Sequence, residues 1–188
     1  MTAPKSDAAQ EINTTPAHSD AVAELIAKQA ITEQLHSYSR GLDRMDRALA
    51  EQVWHSDGTA DYGPGYRGSG SGFLDFVWAY HAGFRAHSHL VGNTLITVDL
   101  EAGTAVSETS VAVWLQTVPA DGMVTDQQHR GRYLDRWSRR EGRWAIDHRI
   151  YVADILYEGQ HAAIPDTEYS APSGTRDRTD LSYPALGW

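Results

Sequence analysis

The sequence predicts an α+β fold, in which three helices precede a curved antiparallel sheet. Apolar residues recur every three to four positions over 22–42, the period of an amphipathic helix. From His89 onward apolar and polar residues alternate, which is typical of strands. The turn sequences Ala102-Gly103 and Glu141-Gly142 separate the alternating segments, as in antiparallel hairpins. Helices followed by strands are the order of an α+β domain, and we expect the sheet to wrap around the long third helix as an open cone.

The composition restricts the classes of function. The chain has 188 residues, enough for one domain with a hydrophobic core. Its formal charge of −9 argues against nucleic acid or an anionic membrane as partner, because both need a basic surface. The absence of cysteine excludes disulfides, a thiolate nucleophile and cysteine-ligated zinc. No apolar run is long enough to span a bilayer, and residues 1–20 lack the apolar segment of a signal peptide. We therefore expect a cytoplasmic protein.

The first half of the chain is predicted to be mainly helical. Residues 1–18, rich in Ala, Thr, Ser and Pro, predict a flexible tail. The first helix is expected to begin at Ser19 or Asp20, either of which can serve as N-cap, and to stop at Gly41. The following segments are predicted, in order, as a second helix over 45–54, a turn at Asp57-Gly58, a strand over 59–62, a glycine-rich loop over 63–72 and a third helix over 73–84.

The second half is predicted to be a sheet followed by a tail. We place a single domain over 19–158 and an irregular C-terminal tail over 159–188, which is rich in Pro, Asp, Ser and Thr. Tyr169, Tyr183 and Trp188 lie in that tail, and such aromatic residues predict that it packs on the domain or on a neighbouring subunit. The predicted strands cover 90–101, 104–118, 127–140 and 144–156, with a hairpin loop at Pro119–Gly122.

Three segments of the sequence carry a family likeness: YSRGLD at 38–43, HLVGN at 89–93 and GRYLDRWSRREGRW at 131–144. With the element order, they resemble the SnoaL-like branch of the nuclear-transport-factor-2-like superfamily over about residues 20–157. Within it, the resemblance is to hexachlorocyclohexane dehydrochlorinase, bile-acid 7α-dehydratase and, more distantly, scytalone dehydratase. The resemblance implies a cystatin-like cone with a pocket at its open end.

The resemblance also implies a catalytic dyad. In these enzymes an Asp after the first helix and a His before the first long strand act together, and Asp43 and His89 occupy those positions. His89 is therefore predicted to act as general base, since imidazole titrates near ~6.5. Asp43 would fix its tautomer and stabilise the imidazolium. Tyr38, five positions before Asp43, matches the bile-acid dehydratase and is predicted to hydrogen-bond the leaving group or a developing oxyanion.

Each of these residues also has an ordinary structural interpretation, which the sequence leaves open. Asp43 is well placed to N-cap the second helix. His89 could be a surface or core residue, and with His87 it would lie on one face of an extended segment, as some metal ligands do. The sequence offers no carboxylate at matching spacing, so no metal is predicted. Tyr38 lies on the apolar stripe of its helix and could be a core residue.

Further pocket contacts are predicted from aromatic and histidine side chains, for which core packing is the alternative. On the strand over 127–140, His129 and Tyr133 share one face and Arg130 and Arg132 the other, and the sequence leaves open which face lines the cone. A match to G-x-G-x-x-G over 63–68 is discounted, because no βαβ unit surrounds it. The predicted substrate contacts are Trp54, Tyr62, Phe84, His129 and Tyr133.

These features predict a cofactor-independent lyase. The reaction expected is a dehydratase-like elimination on a small apolar cyclic or aromatic substrate, since aromatic side chains are expected to line the pocket. One alternative is an isomerase or aldol-type cyclase of polyketide-like or steroid-like substrates, which would use the same base without loss of a leaving group. The other is a non-catalytic small-molecule binding protein. The resemblance further implies a homo-oligomer, either a trimer or a dimer.

Overall fold

The computed structural model describes residues 16–117, 121–165 and 170–188, with side chains from residue 18 onward. Most of the predicted flexible tail, the last residue of the predicted strand over 104–118, residues 119–120 of the predicted hairpin loop and Tyr169 lie outside the described residues. The elements are α1 (Pro16–Asp43), α2 (Arg47–Glu51), β1 (Trp54–Asp61), β2 (Arg67–Ser69), α3 (Gly70–Ala82), β3 (Phe84–Asp99), β4 (Thr104–Thr117), β5 (Met123–Arg140), β6 (Arg143–Ala162) and α4 (Ser182–Leu186).

The strands form one mixed sheet in the order β2-β1-β6-β5-β4-β3. All neighbouring strands are antiparallel except β1 and β6, which are parallel. The hairpin between β5 and β6 turns at Glu141 and Gly142, whose φ angles of 52° and 81° suit the tight turns that join twisted strands. The sheet is not closed into a barrel, and the predicted α+β class is confirmed.

The long helix that packs against the sheet is α1, with 28 residues, whereas α3 has 13. The prediction that the sheet wraps around the third helix was therefore wrong. α1 begins at Pro16, three residues before the predicted cap. Only the second half of the predicted apolar stripe is buried: Val22, Leu25 and Ile26 are exposed. The buried apolar residues of α1 recur every three or four positions and are Ala27, Ile31, Leu35, Tyr38 and Leu42.

The predicted stop of α1 at Gly41 was wrong, because the helix continues to Asp43. A Cβ atom at Gly41 would lie 2.6 Å from the backbone nitrogen of Ala50 in α2. The glycine therefore serves close helix–helix contact rather than helix termination. The chain turns after Asp43 at Met45, which has a φ of 50°. α2 ends at Glu51, so Trp54 opens a strand instead of closing the predicted second helix.

Three strands, β1, β3 and β5, begin several residues earlier than predicted, and β6 ends later. β1 runs through the predicted turn at Asp57-Gly58, because a shift of register between Trp54 and Thr59 accommodates that dipeptide inside the strand. β3 begins at Phe84, so that His87 and His89 lie inside a strand rather than before one. β6 extends to Ala162, beyond the predicted domain boundary at 158.

Buried and exposed residues alternate along β4, and this alternation shows which face of the sheet points inward. The buried residues of β4 are Ala105, Ser107, Thr109, Val111, Val113 and Leu115. In β5, His129 lies opposite Val113, and Tyr133 lies opposite Thr109. The face of β5 that carries His129, Tyr133 and Asp135 therefore points toward α1. This register resolves the choice of face that the sequence left open.

Candidate active site

Asp43 and His89 are joined by three hydrogen bonds. Asp43 is the last residue of α1, and His89 lies in β3. The His89 Nδ1 atom lies 2.6 Å from Asp43 Oδ1, and the His89 backbone N–H donates to both carboxylate oxygens at 3.1 and 2.9 Å. Because an ionised carboxylate can only accept, Nδ1 carries the hydrogen. That tautomer leaves Nε2 as the ring nitrogen that can accept a proton. The His89 side chain is only 4 % exposed.

Asp43 does not cap α2, so its alternative structural role does not apply. The N-cap of α2 is Asp46, whose carboxylate accepts a hydrogen bond from the Leu49 backbone N–H at 3.2 Å. Asp46 fits the preference for Asp at this position as well as Asp43 would. The sequence could not distinguish the two, because the end of α1 at Asp43 and the turn at Met45 were not predicted.

Two further imidazoles adjoin His89. The ring of His81 lies 4.3 Å from that of His87 and 5.7 Å from that of His89, between centroids. Burial lowers the pKa of His81 to about 2 and also lowers the pKa of His87, whose Nε2–H donates to the Leu42 carbonyl at 2.7 Å. Both are therefore neutral near pH 7. Within the described ranges, no group of three or more His, Asp or Glu residues could hold a metal ion.

Tyr38 is fully buried, and its ring packs against aromatic side chains of the interior. Its ring meets those of Trp54 and Tyr133 edge-on, with centroids 6.4 and 6.2 Å apart. The guanidinium of Arg149 lies 4.7 Å from the centre of the Tyr38 ring. Burial raises the pKa of the Tyr38 hydroxyl, and the Arg149 cation opposes that rise only in part. The hydroxyl is therefore neutral and can donate a hydrogen bond.

Arg149 is a buried cation that was not predicted as a site residue. It forms a bidentate ion pair with Asp135, at 2.7 and 2.8 Å, in which both side chains are fully buried. Its guanidinium also lies 3.9 Å from the centre of the Tyr133 ring. Burial would lower the Arg149 pKa, but the Asp135 carboxylate keeps it well above its ordinary range. One feature of the sequence could have identified Arg149 as a buried residue: its charge is opposite to that of Asp135, which pairs with it across the β5–β6 hairpin.

Several buried polar atoms around Arg149 have no hydrogen-bond partner among the described residues. Such atoms are rare in folded proteins, and each can indicate a catalytic role or a position for a bound water molecule or ion. Tyr62 belongs to this group, with its ring stacked on Phe73 at 3.9 Å. The unpartnered atoms on the predicted site residues and Arg149 are Tyr38 Oη, Trp54 Nε1, Tyr62 Oη, His129 Nε2 and Arg149 Nη1.

The predicted substrate contacts fall into three places. Trp54, Tyr62 and Tyr133 surround Tyr38 and Arg149. His129 lies nearer the dyad, since burial and then the neighbouring His89 lower its pKa. Phe84 lies at the start of β3, where its ring contacts that of Tyr80 at 5.0 Å. It is buried in the same hydrophobic core as Trp54 and Tyr133, although among the described residues its ring contact is with Tyr80 and not with them.

A pocket of about 740 Å³ reaches the Asp43–His89 pair, and we call it the dyad pocket. Its volume is within the usual range for small-molecule sites. The C-terminal segment, residues 170–188, forms one wall, and it is held by an Asp180–Arg44 ion pair at 2.8 Å and by a Tyr183–Asp46 hydrogen bond at 2.9 Å. The lining residues are His36, Ser37, Ser39, Arg40, Asp43, Arg44, His89, Leu90, Val91, Asp180, Ser182, Leu186 and Trp188.

The fold matches solved structures and one family model. A model described as a SnoaL-like domain matches residues 23–150. A proposed scytalone dehydratase from Novosphingobium aromaticivorans is 20 % identical, with a TM-score of 0.65 over 80 % of this chain and 99 % of that one. A type 3 hexachlorocyclohexane dehydrochlorinase from Novosphingobium barchaimii is 17 % identical, with a TM-score of 0.67 over 77 % of this chain and 99 % of that one.

A third structure, a cystatin-like protein of unknown function from Nostoc punctiforme, is 19 % identical, with a TM-score of 0.55 over 68 % of this chain and 90 % of that one. At these identities the solved structures show the fold alone. No curated protein sequence matches the chain significantly. Within the described residues, no helix is both long and apolar enough to cross a membrane. The family match confirms the resemblance inferred from the sequence.

Proposed function

Because this chain belongs to the SnoaL-like domain family, we propose that it is a cofactor-independent lyase that acts on a small cyclic molecule. The names of two structures with the same fold denote elimination, of water in one protein and of hydrogen chloride in the other. Members of one fold often differ in chemistry, so the proposal depends on the site. The observation that carries it is the 2.6 Å hydrogen bond between Asp43 Oδ1 and His89 Nδ1.

His89 is proposed as the general base. Its Nε2 atom would take a proton from a substrate carbon, and the electron pair of that C–H bond would form a double bond to the adjacent carbon. A leaving oxygen on the adjacent carbon would depart as water, after receiving the proton back from the imidazolium. Asp43 supports this cycle in two ways: it fixes the ring orientation and stabilises the imidazolium.

Tyr38 and Arg149 are proposed to stabilise the negative charge that develops on the substrate. Each has a hydrogen-bond donor, the Tyr38 hydroxyl and the Arg149 Nη1 atom, that has no partner in the described part of the chain. Donors held in a buried site stabilise such charge more strongly than they would in water, because they do not need to reorient. Arg149 is held in place by Asp135, and Tyr38 by its contacts with Trp54 and Tyr133.

The proposal is tested by proton exchange and product mass with a panel of cyclic ketones and β-hydroxy ketones in deuterated water. Wild-type protein should introduce deuterium and release water, whereas His89→Ala and Asp43→Asn should each be slower by about 10²–10⁴-fold. His161→Ala, a change at a partly exposed histidine in β6, is the matched control.

Circular dichroism and thermal melts should establish that each variant is folded. Wild-type-like exchange in a folded His89→Ala protein would contradict the general-base role. Exchange with a product of unchanged mass would replace elimination by isomerisation or ring closure. A wild-type protein that binds the ketones without exchange would be a binding protein and not an enzyme.

A further inference from the structure

Arg40 lines the dyad pocket as a cation held by the C-terminal segment. Both of its Nη atoms donate to the Ser182 hydroxyl at 3.1 Å. Its guanidinium lies 4.3 Å from the centre of the Trp188 ring and 4.9 Å from that of Tyr183. Within the described ranges, its hydrogen bonds go to a hydroxyl oxygen and not to a carboxylate. A guanidinium has five N–H donors, so three remain for another acceptor.

The other arginine and the two aspartates of the pocket are already paired. Arg44 binds Asp180 at 2.8 Å, and Asp180 accepts further hydrogen bonds from Ser182. Asp43 is engaged by the ring and the backbone of His89. Among the residues that the structure describes, Arg40 is therefore the arginine of this pocket without a carboxylate partner. A cation placed in this way favours an anionic ligand.

Ser39 adds a second polar group beside Arg40. The residue is 4 % exposed and lines the pocket, and its Oγ atom has no hydrogen-bond partner among the described residues. A buried hydroxyl without a partner is uncommon. Beside the free donors of Arg40, it supplies a further hydrogen bond for a bound oxygen atom. The apolar wall of the same pocket comes from Leu90, Val91 and Trp188.

We propose that the dyad pocket binds a small molecule that bears a carboxylate, with the carboxylate on Arg40 and Ser39 and the remainder directed toward His89. Guanidinium and carboxylate groups match in shape and charge, which gives paired hydrogen bonds. This inference deepens the proposed function, since it names the substrate class of the same site. The wall that completes the subsite comes from the C-terminal segment, beyond residues 23–150 that match the family model.

The test compares two aromatic probes that differ only in charge, naphthoate and naphthamide, by isothermal titration calorimetry at pH 7. Wild-type protein should bind naphthoate about tenfold or more tightly than the amide, as charge-assisted hydrogen bonds predict. Arg40→Gln should remove this preference. Arg130→Gln makes the same change of charge on a strand away from the dyad pocket and should retain it. Equal affinities in wild type, or no naphthoate binding at millimolar concentration, would overturn the proposal.

Two additions keep the test decisive. If Arg40→Gln does not fold, the indole N–H resonance of Trp188, assigned with Trp188→Phe, should shift with naphthoate and not with the amide; an unmoved resonance would overturn the subsite. The titrations are repeated in His89→Ala, which separates the two proposals. A carboxylate preference that persists without turnover supports the subsite whatever the base is. Loss of turnover in His89→Ala, without any carboxylate preference in wild type, supports the base and overturns the subsite.

Discussion

Tyr38 combines complete burial with a hydroxyl that has no hydrogen-bond partner among the described residues. Replacing it with phenylalanine removes at most a weak polar interaction with Tyr62 and Arg149, so the free energy of unfolding should change by about 1 kcal/mol or less. Activity in the deuterium-exchange assay should nevertheless fall about tenfold or more, because a donor to the developing charge is lost. Chemical denaturation and the exchange assay measure the two effects separately.

Tyr183→Phe is the matched control for Tyr38→Phe. The Tyr183 hydroxyl donates to the Asp46 carboxylate at 2.9 Å, so its loss should lower the free energy of unfolding by about 1.5–3 kcal/mol. Full activity in Tyr38→Phe would show that Tyr38 is a core residue only.

The buried imidazole of His81 predicts how the free energy of unfolding depends on pH. His81 has a pKa of about 2 in the folded protein, where burial disfavours the cation, and near ~6.5 in an unfolded chain. Below pH ~6.5 the unfolded chain therefore binds a proton that the folded protein does not. The contribution of His81 is complete above that pH and is lost as pH falls toward 2, by about 1.4 kcal/mol per pH unit.

Denaturation at pH 4, 5, 6 and 7 tests this expectation. In His81→Gln the free energy of unfolding should depend less steeply on pH than in wild type. The difference in slope should correspond to about one proton fewer taken up on unfolding, because the substitution removes the group that titrates only in the unfolded chain. The slopes of the free energy of unfolding against pH are compared, and not its absolute values, because the substitution also alters packing. His161→Gln, in the partly exposed end of β6, should keep the wild-type slope. An unchanged slope in His81→Gln would mean that the His81 imidazole is not the group responsible.

At the scale of elements, the close contact between α1 and α2 depends on Gly41. A Cβ atom there would lie within 3 Å of three Ala50 atoms, two of which are backbone and cannot rotate away. Gly41→Ala should therefore lower the free energy of unfolding by about 1–3 kcal/mol, as overpacking does. Thermal and urea melts measure the loss. Gly65→Ala, whose Cβ would meet its nearest atom at an ordinary 3.5 Å, should stay near wild type. Equal stabilities would refute the role of Gly41.

The boundaries that the sequence could not predict depend on contacts between distant elements. A glycine near the end of an apolar helical stripe predicts a stop, and only the approach of α2 explains why Gly41 lies inside α1. Asp57-Gly58 has the composition of a turn, but pairing with β6 keeps it in a strand. The periods of the helix and of the strands were predictable, because they arise from residues near one another in the chain.

The candidate site was predictable in part for the same reason. Asp43 and His89 were predicted because the short motifs around them resemble those of a known family, and the structure joins the two residues by hydrogen bonds. Arg149 was not predicted, because its partners come from three separate elements, α1, β1 and β5. In addition, a single arginine in an alternating strand usually indicates a solvated side chain. The aromatic residues of the C-terminal segment predicted that it packs on the domain or on a neighbouring subunit. They could not predict which residues it contacts, since its contacts with Arg40 and Arg44 span more than a hundred residues.

For the whole molecule, the outer face of the sheet predicts self-association. Leu90, Ala112, Arg130 and Ile155 lie side by side across four strands. Leu90 and Ile155 are 63 % and 57 % exposed, and apolar exposure on a sheet often marks an interface. We expect a homo-oligomer that Ile155→Asp dissociates without unfolding, as measured by sedimentation velocity. Val22→Asp, on the exposed face of α1, is the control and should not dissociate it. A monomeric wild type would contradict the expectation.

The single parallel pairing in the sheet has a consequence for the order of folding. Thr59 pairs with His148, 89 positions away, whereas β5 and β6 are joined by a tight turn. Closing a long loop costs more entropy than closing a hairpin, so the hairpin and its Asp135–Arg149 pair should form first, still hydrated. Docking of α1 and β1 then removes water from that pair. The polar core should therefore lose its water in the last step of folding. The interior around Arg149 should assemble in that same step.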